Sequence, residues 1–301
     1  MVQRDADYDE DHKKERLEHH FYELSIDVDR MDAAVKNRLI KVCLFSSLLT
    51  MASASANSHA QEIERIETDR HEFTPSVLVV PEGMAQIESG YSFFKDGDET
   101  VHTGPELLLR YGLTENVELR LRYNEAWRFG EDHRSGSEDL RIGTKLRLND
   151  QRGWIPEAVA LLTLSVPTGS EDWTLDSTEF GISYVYGWDI AEGVEIYGST
   201  GLATNGLGDF DFLPEAADDD FTVFSQSISV GAILTERVTC YAEFFGLFTN
   251  NFVDDEDNQV FYNMGADYYL TNDFLIDARA GVGLTSDSAD FFCGLGGAFR
   301  F

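Results

Sequence analysis

The chain has 301 residues, with 23 Lys and Arg against 55 Asp and Glu, and carries a formal charge of −32. That balance excludes affinity for nucleic acid or anionic lipid through bulk charge, since both need a basic surface. Hydrophobic residues at 43% and aromatics at 12% exclude global disorder, and three Cys cannot build a disulfide framework.

Residues 1–30 are polar and charged, with no apolar stripe to pack. Lys36, Arg38 and Lys41 then form a positive n-region, residues 42–52 an apolar h-region, and small-x-small cleavage sites follow at Ala54-Ser55-Ala56 and Ser58-His59-Ala60. This predicts a secretory signal peptide over 31–60, with translation starting at Met31 and 1–30 arising from an upstream mis-start. The alternative is a genuine, disordered extension. Cys43 lacks the small neighbours of a lipoprotein cleavage box, so lipidation is not expected. Residues 61–83 then form an N-terminal segment, expected to lie in the periplasm or to tuck into the mouth of the domain formed by residues 84–301.

Twenty-five Gly, six Pro, 21 Phe and 12 Tyr suit a β-protein, and no stretch approaches the roughly 20 apolar residues of a transmembrane helix. From Met84 onward the chain falls into segments of about ten residues with period-2 alternation. In one, Val117, Leu119, Leu121 and Tyr123 alternate with Glu118, Arg120, Arg122 and Asn124. The segments predict twelve strands: 84–94, 102–112, 117–127, 138–148, 157–167, 179–190, 194–203, 221–234, 238–249, 259–270, 274–284 and 291–301. Connections alternate between very short ones, such as 113–117, 234–238 and 270–274, and longer acidic ones, such as 95–101, 205–220 and 250–258. Only 149–156 is long among the short set. An even number of antiparallel strands with short turns at one end is the pattern of a transmembrane, up-and-down, all-β barrel.

A soluble sandwich also alternates, but it does not require loop length to alternate by end, and its solvated face carries small polar residues rather than charges. The C-terminal strand ends Gly296-x-x-Phe299-x-Phe301, which resembles the signal read by the outer-membrane barrel-assembly machinery. Outward Tyr123, Trp127, Tyr184, Tyr186, Trp188, Tyr262 and Tyr268 suit interfacial girdles against outer-membrane lipid.

Several stretches resemble one family. They are Thr68-Asp69-Arg70-His71-Glu72-Phe73-Thr74, Val80-Pro81-Glu82-Gly83, Gln86-Ile87-Glu88-Ser89-Gly90-Tyr91, and the run from Pro105 to Arg120. The family is that of outer-membrane barrel transporters called "MetA-pathway of phenol degradation" proteins, and the resemblance covers roughly 67–301. It is specific in the first third and architectural afterwards. His71 stands where the family often has Pro. The resemblance implies an outer-membrane channel with aromatic or other small organic solutes as suggested substrates, and carries over no catalytic or binding residue.

Enzymatic motifs are absent: no GxSxG, HExxH, P-loop or CxxC occurs. His71, His102 and His133 lie in loops or at a strand end, and Cys240 and Cys293 fall on outward positions of non-adjacent strands. No enzyme, cofactor or metal is expected. A charge in a narrow lumen must be paired or hydrated, so the inward charges are the candidate lumen and selectivity residues: Glu88, Glu106, Arg110, Glu118, Arg120, Arg122, Arg141, Lys145, Glu243, Asp267, Asp277, Arg279 and Arg300. Folding each hairpin about its turn centre places Arg110 opposite Glu118 or Arg120, Arg141 opposite Arg122 or Asn124, Lys145 opposite Glu118, and Asp267 opposite Asp277. The second to fourth strands thus form a mainly basic wall, joined by Arg147. The two aspartates repel unless Arg279 or Arg300 bridges them or one binds a proton.

These charges set a transverse field across a narrow pore, or they form a salt-bridged filling. The expected function is passive passage of a small organic solute. The alternative is a non-conducting structural or surface-interaction barrel whose acidic loops bind cations or a partner. The loops show no spaced calcium pattern, and a solvated acidic rim is the expectation there. Both termini are expected on the periplasmic side.

Overall fold

The computed structural model describes residues 65–130, 133–174, 177–204, 222–250 and 258–301. The signal peptide, residues 1–30 and the acidic stretches 205–220 and 251–257 lie outside the described residues. Among those described, the strands are β1 (Ala85–Asp96), β2 (Glu99–Thr114), β3 (Val117–Tyr123), β4 (Glu125–Phe129), β5 (Arg134–Ser137), β6 (Leu140–Asn149), β7 (Glu157–Val166), β8 (Glu179–Ala191), β9 (Val194–Thr204), β10 (Thr222–Thr235), β11 (Val238–Asn250), β12 (Asn258–Thr271), β13 (Phe274–Gly283) and β14 (Phe291–Arg300). All pairings between them are antiparallel, and β1 pairs with both β2 and β14, so the sheet closes on itself. The seam is completed by Ala85 and Phe301, which exchange two backbone hydrogen bonds of 2.8 Å. Closure joins the first and last strands and so removes the open edge at the seam, which hydrocarbon does not tolerate.

β3 and β4 both pair with β2, while β5 and β6 pair with β4 and β3 in turn. Each couple is therefore one stave with a break, and the barrel has the twelve staves expected, close to the expected bounds. The breaks have a local cause. Asn124 donates from Nδ2 to Glu138 Oε2 at 2.9 Å, and Asp139 Oδ1 accepts the backbone N–H groups of Thr168 and Gly169 at 3.0 and 2.8 Å. Asp139 thereby satisfies two backbone N–H groups beside the break.

The short turns share a mechanism that their sequences already display. In Thr114-Glu115-Asn116, Thr235-Glu236-Arg237 and Thr271-Asn272-Asp273, the threonine hydroxyl accepts the backbone N–H two residues on, at 3.2–3.3 Å. The turn at Ala191 lacks the threonine and uses Gly193 at φ +69° instead.

Burial is inverted relative to a water-soluble protein. On β13, Leu275, Asp277 and Arg279 point inward and are buried, whereas Phe274 and Ile276 are exposed. Ile87, Leu119, Ile182, Leu202, Ile228, Leu295 and Phe299 are exposed in the same way on other staves. Tyr184, Tyr186 and Trp188 follow one another along the outside of β8, with ring centroids 5.4 and 5.8 Å apart. Tyr262, expected in a girdle, is only 4% exposed because it packs against Phe244 of the next stave. Cys240 and Cys293 are free thiols at outward positions.

Candidate functional site

The lumen is occupied by the segment preceding the first strand. Residues 65–83 enter at the short-turn end, where Ile66 N–H bonds the Asn272 carbonyl at 2.7 Å and the Ile66 side chain packs on Leu275. They climb to Phe73, whose ring stacks on Phe245 of β11 at 4.5 Å. They then return to the short-turn end, where Val80 N–H bonds Glu118 at 2.9 Å. The sequence leaves open whether this segment stays outside or tucks into the mouth. It goes deeper than the mouth, and its six residues Asp69–Thr74 dock on wall residues around most of the barrel.

Asp69 meets the basic wall. Its carboxylate pairs with Lys145 at 2.6 Å and with Arg120, and lies 3.5 Å from Arg110. Arg110 is also held by Glu88 at 2.9 Å and Glu118 at 2.8 Å. Three cations and three carboxylates thus share one buried cluster. Burial pushes the Asp69 carboxyl up, but Arg110, Lys145 and Arg120 together hold it well below the usual carboxylate range. Lys145 also donates to the carbonyls of Ser76 and Leu78, at 2.9 and 3.1 Å, which fixes the returning limb.

Arg70 crosses to the other side, pairing with Asp277 of β13 and with Glu106 of β2 at 2.8 Å. His71 Nε2 lies 3.2 Å from Asp267, and its backbone carbonyl accepts the Tyr241 hydroxyl at 2.8 Å. Glu72 accepts from the Tyr197 hydroxyl at 2.6–2.7 Å. The N–H groups of Phe73 and Thr74 donate to Glu243 at 3.0 and 2.7 Å, and Asn263 supports that carboxylate at 3.3 Å.

The expected registers Arg110–Arg120, Arg122–Arg141, Glu118–Lys145 and Asp267–Asp277 are all present. The bridging of the aspartates is different from expectation. Arg70 serves Asp277 and His71 serves Asp267, while Arg279 donates to Ser92 at 2.7 Å. Arg300 pairs with Asp273 of the short turn at 2.8 Å, which puts it at the rim. Hairpin folding missed the plug because it considers only pairings between strands. The available signal was the run Asp69-Arg70-His71-Glu72, which carries both acidic and basic side chains that can meet the wall charges. His102 lies on the outer face, with its ring against Tyr91, Phe93 and Phe129.

Two of the spaces left around the plug lie on the basic side of the lumen. A cavity of ≈ 160 Å³ lies between Asp69, Glu72 and Phe73 on the plug and Arg120, Arg122, Arg141, Thr163, Ser183 and Ser199 on the wall. A larger one of ≈ 480 Å³ sits at the short-turn mouth, lined by Arg65, Glu67, Arg110, Arg147, Arg300 and the returning limb. Across the lumen from the arginines, Phe94, Val101, Val223, Phe245, Leu247, Phe261 and Phe292 pack into an apolar cluster.

Residues 68–301 match the family described as "Putative MetA-pathway of phenol degradation". The chain belongs to this family. No curated protein matches it in sequence. Among solved structures, an outer membrane channel from Pseudomonas putida F1 is similar with a TM-score of 0.57 at 13% identity, over 78% of this chain and 100% of that one. A KdgM porin is similar with a TM-score of 0.50 at 7% identity, over 72% and 99%. At these identities the likeness is one of fold, which is that of outer-membrane barrels. In this member of the family, one of the stretches that carry the resemblance, 68–74, lies in the plug and docks on the wall.

The plug of this family member packs tightly against glycines of the wall, Gly90, Gly112 and Gly296. A Cβ built at Gly296 of β14 would collide with the Arg70 guanidinium, and one at Gly90 would do the same. In protein refolded without the assembly machinery, Gly296→Ala is therefore expected to displace Arg70 and expose it to trypsin while the barrel still closes. Protection of Arg70 equal to the native protein would refute this.

Docking of the plug also depends on pH. Burial lowers the His71 pKa, but Asp267 and Glu72 outweigh it and push the imidazole up to about 10. Burial together with Glu195 pushes Glu67 up to about 8. A raised histidine stabilises docking fully below its ordinary value of 6.5 and loses that contribution as pH rises to about 10. A raised carboxyl acts in the same direction between 4.5 and about 8. Above the ordinary carboxylate range docking should thus weaken with rising pH, read as increasing protease access to 65–83, and His71→Gln should flatten the upper part of the profile. In acid, protonation of Asp69 acts in the opposite sense and weakens docking again.

Proposed function

We propose that the protein is a passive channel of the bacterial outer membrane for small organic solutes, aromatic compounds among them, with both termini on the periplasmic side. The observation that carries this reading is the pair of arginine-lined cavities on the basic side of the lumen, separated by a plug held mainly by ion pairs and hydrogen bonds. A packed apolar plug would be permanent, whereas charge-paired contacts exchange with water and ions at modest cost when the segment shifts. The lumen residues Glu88, Glu106, Arg110, Glu118, Arg120, Arg122, Arg141, Lys145, Glu243, Asp267, Asp277 and Arg279 then set selectivity, either by docking the plug or by lining the path. The family description and the fold likeness to a channel and a porin support the same reading. Phe299 and Phe301, exposed and stacked at 5.7 Å, with Gly296, are proposed as the signal for the assembly machinery.

The test is single-channel conductance of the purified protein in a planar bilayer. Steady conductance that rises when the plug is displaced supports the channel. A folded, heat-resistant barrel that never conducts supports instead a closed barrel acting through its acidic loops. That second reading draws on the burial of Asp69 and Arg70 in ion pairs with the wall.

A further inference from the structure

The connection between β6 and β7 is the long member of the set at the short-turn end, and its extra residues build a small hairpin of their own. Arg152 and Ile155 exchange backbone hydrogen bonds of 2.9 and 3.2 Å around Gly153 and Trp154. Gly153 stands at φ +62°, the left-handed conformation that a two-residue hairpin turn asks for. The hairpin is also tied to its neighbour. The Gln151 side chain donates to the Asp189 carbonyl at 3.1 Å and accepts the Asp189 N–H at 2.8 Å. The Trp188 indole N–H donates to the Trp154 carbonyl at 3.1 Å. A turn fixed at this many points presents its tip in one direction.

At that tip the Trp154 side chain is 96% exposed. Ile155 beside it is exposed too, as are Leu148 and Ile190 on the outer faces of β6 and β8. Large apolar side chains left bare together at one end of neighbouring staves mark a contact surface. The direction of the tip selects what covers it. Trp188 ends the row of Tyr184, Tyr186 and Trp188 on the outside of β8. Its bond to Trp154 therefore holds the tip against the flank of the barrel, in line with the aromatic girdle. Charge agrees with this placement. Asp150 is taken up by Arg147 at 2.8 Å, while exposed Arg152 has no ion-pair partner among the described residues. An indole beside an arginine suits a phospholipid boundary, where the ring sits at headgroup level and the guanidinium meets phosphate.

We infer that the 149–156 turn is a foot that seats the barrel in the phospholipid leaflet at the short-turn end. Trp154 and Ile155 enter the upper acyl region, and Arg152 lies on lipid phosphate. The orientation proposed above makes this the periplasmic leaflet. The inference needs a lipid-facing barrel but no conduction, so its failure leaves the channel reading standing.

The test uses the protein purified from membranes and reconstituted into phosphatidylcholine vesicles, with or without bromine on the upper acyl chains. The chain has four Trp, so Trp154 emission is taken as the difference between the native protein and Trp154→Phe. That variant is expected to fold, because the side chain it changes is almost wholly exposed. The expected result is loss of most of this emission in brominated lipid, with little quenching by acrylamide in the water. Arg152→Glu should weaken the bromine quenching and strengthen that by acrylamide, and unchanged quenching would overturn the phosphate contact. Quenching of Trp154 by acrylamide and not by bromine puts the turn in water. Protection from both puts it against a second copy of the chain. Either result overturns the inference.

Discussion

Replacing Asp69 with alanine is expected to release the plug. The Asp69 side chain is fully buried and shares its oxygens among Arg110, Arg120 and Lys145. Removing it leaves three cations against the two carboxylates of Glu88 and Glu118 in a site closed to bulk water. Breaking a buried ion pair from one side typically costs about 3–5 kcal/mol, because the remaining charge has no partner. Barrel closure does not depend on Asp69, so the penalty falls on docking and shifts the ratio of docked to released segment by roughly two orders of magnitude or more. Trypsin should then cleave after Arg70, which is 1% exposed in the docked state, while heat-resistant mobility of the barrel is kept. If the channel reading holds, conductance rises in parallel. Undiminished protection of Arg70 in Asp69→Ala would show that the cluster does not hold the plug.

An arginine at Ile228 tests the other face of the wall. Ile228 lies in the middle of β10, 55% exposed, opposite Gly198 and Phe244 on the neighbouring staves. In a bilayer this position is near the midplane, where an Arg on a barrel's outer face costs about 2–4 kcal/mol. On a sheet in water the same change stays within about 0.5 kcal/mol. Urea unfolding in lipid vesicles should therefore show a clear drop in stability for Ile228→Arg. An unchanged midpoint would be incompatible with lipid contact at this surface.

The architecture was legible because a closed antiparallel barrel is built almost wholly from local rules. Two-residue periodicity assigns each side chain to one face, and short turns such as Thr271-Asn272-Asp273 fix the register of the hairpin that they close. Asp267 could therefore be placed opposite Asp277, and Lys145 opposite Glu118, before any three-dimensional information. The same rules placed Tyr262 on the outside but not its cover by Phe244, since side-chain packing between staves depends on twist and size together.

The breaks at Asn124 and at Glu138 were not legible, because an interrupted stave keeps its alternation on either side. The larger gap lay in the lumen. By itself the sequence determined twelve staves, their directions, their inward charges and the family to which the chain belongs, since each follows from neighbours along the chain or across one hairpin. Only the tertiary structure decided that Asp69, Arg70 and His71 pair with those charges, and that Arg300 serves the rim rather than Asp277. Residues 65–83 have no strand ladder to fix their register. Their position comes from charge and shape complementarity with a wall that exists only after the barrel has closed.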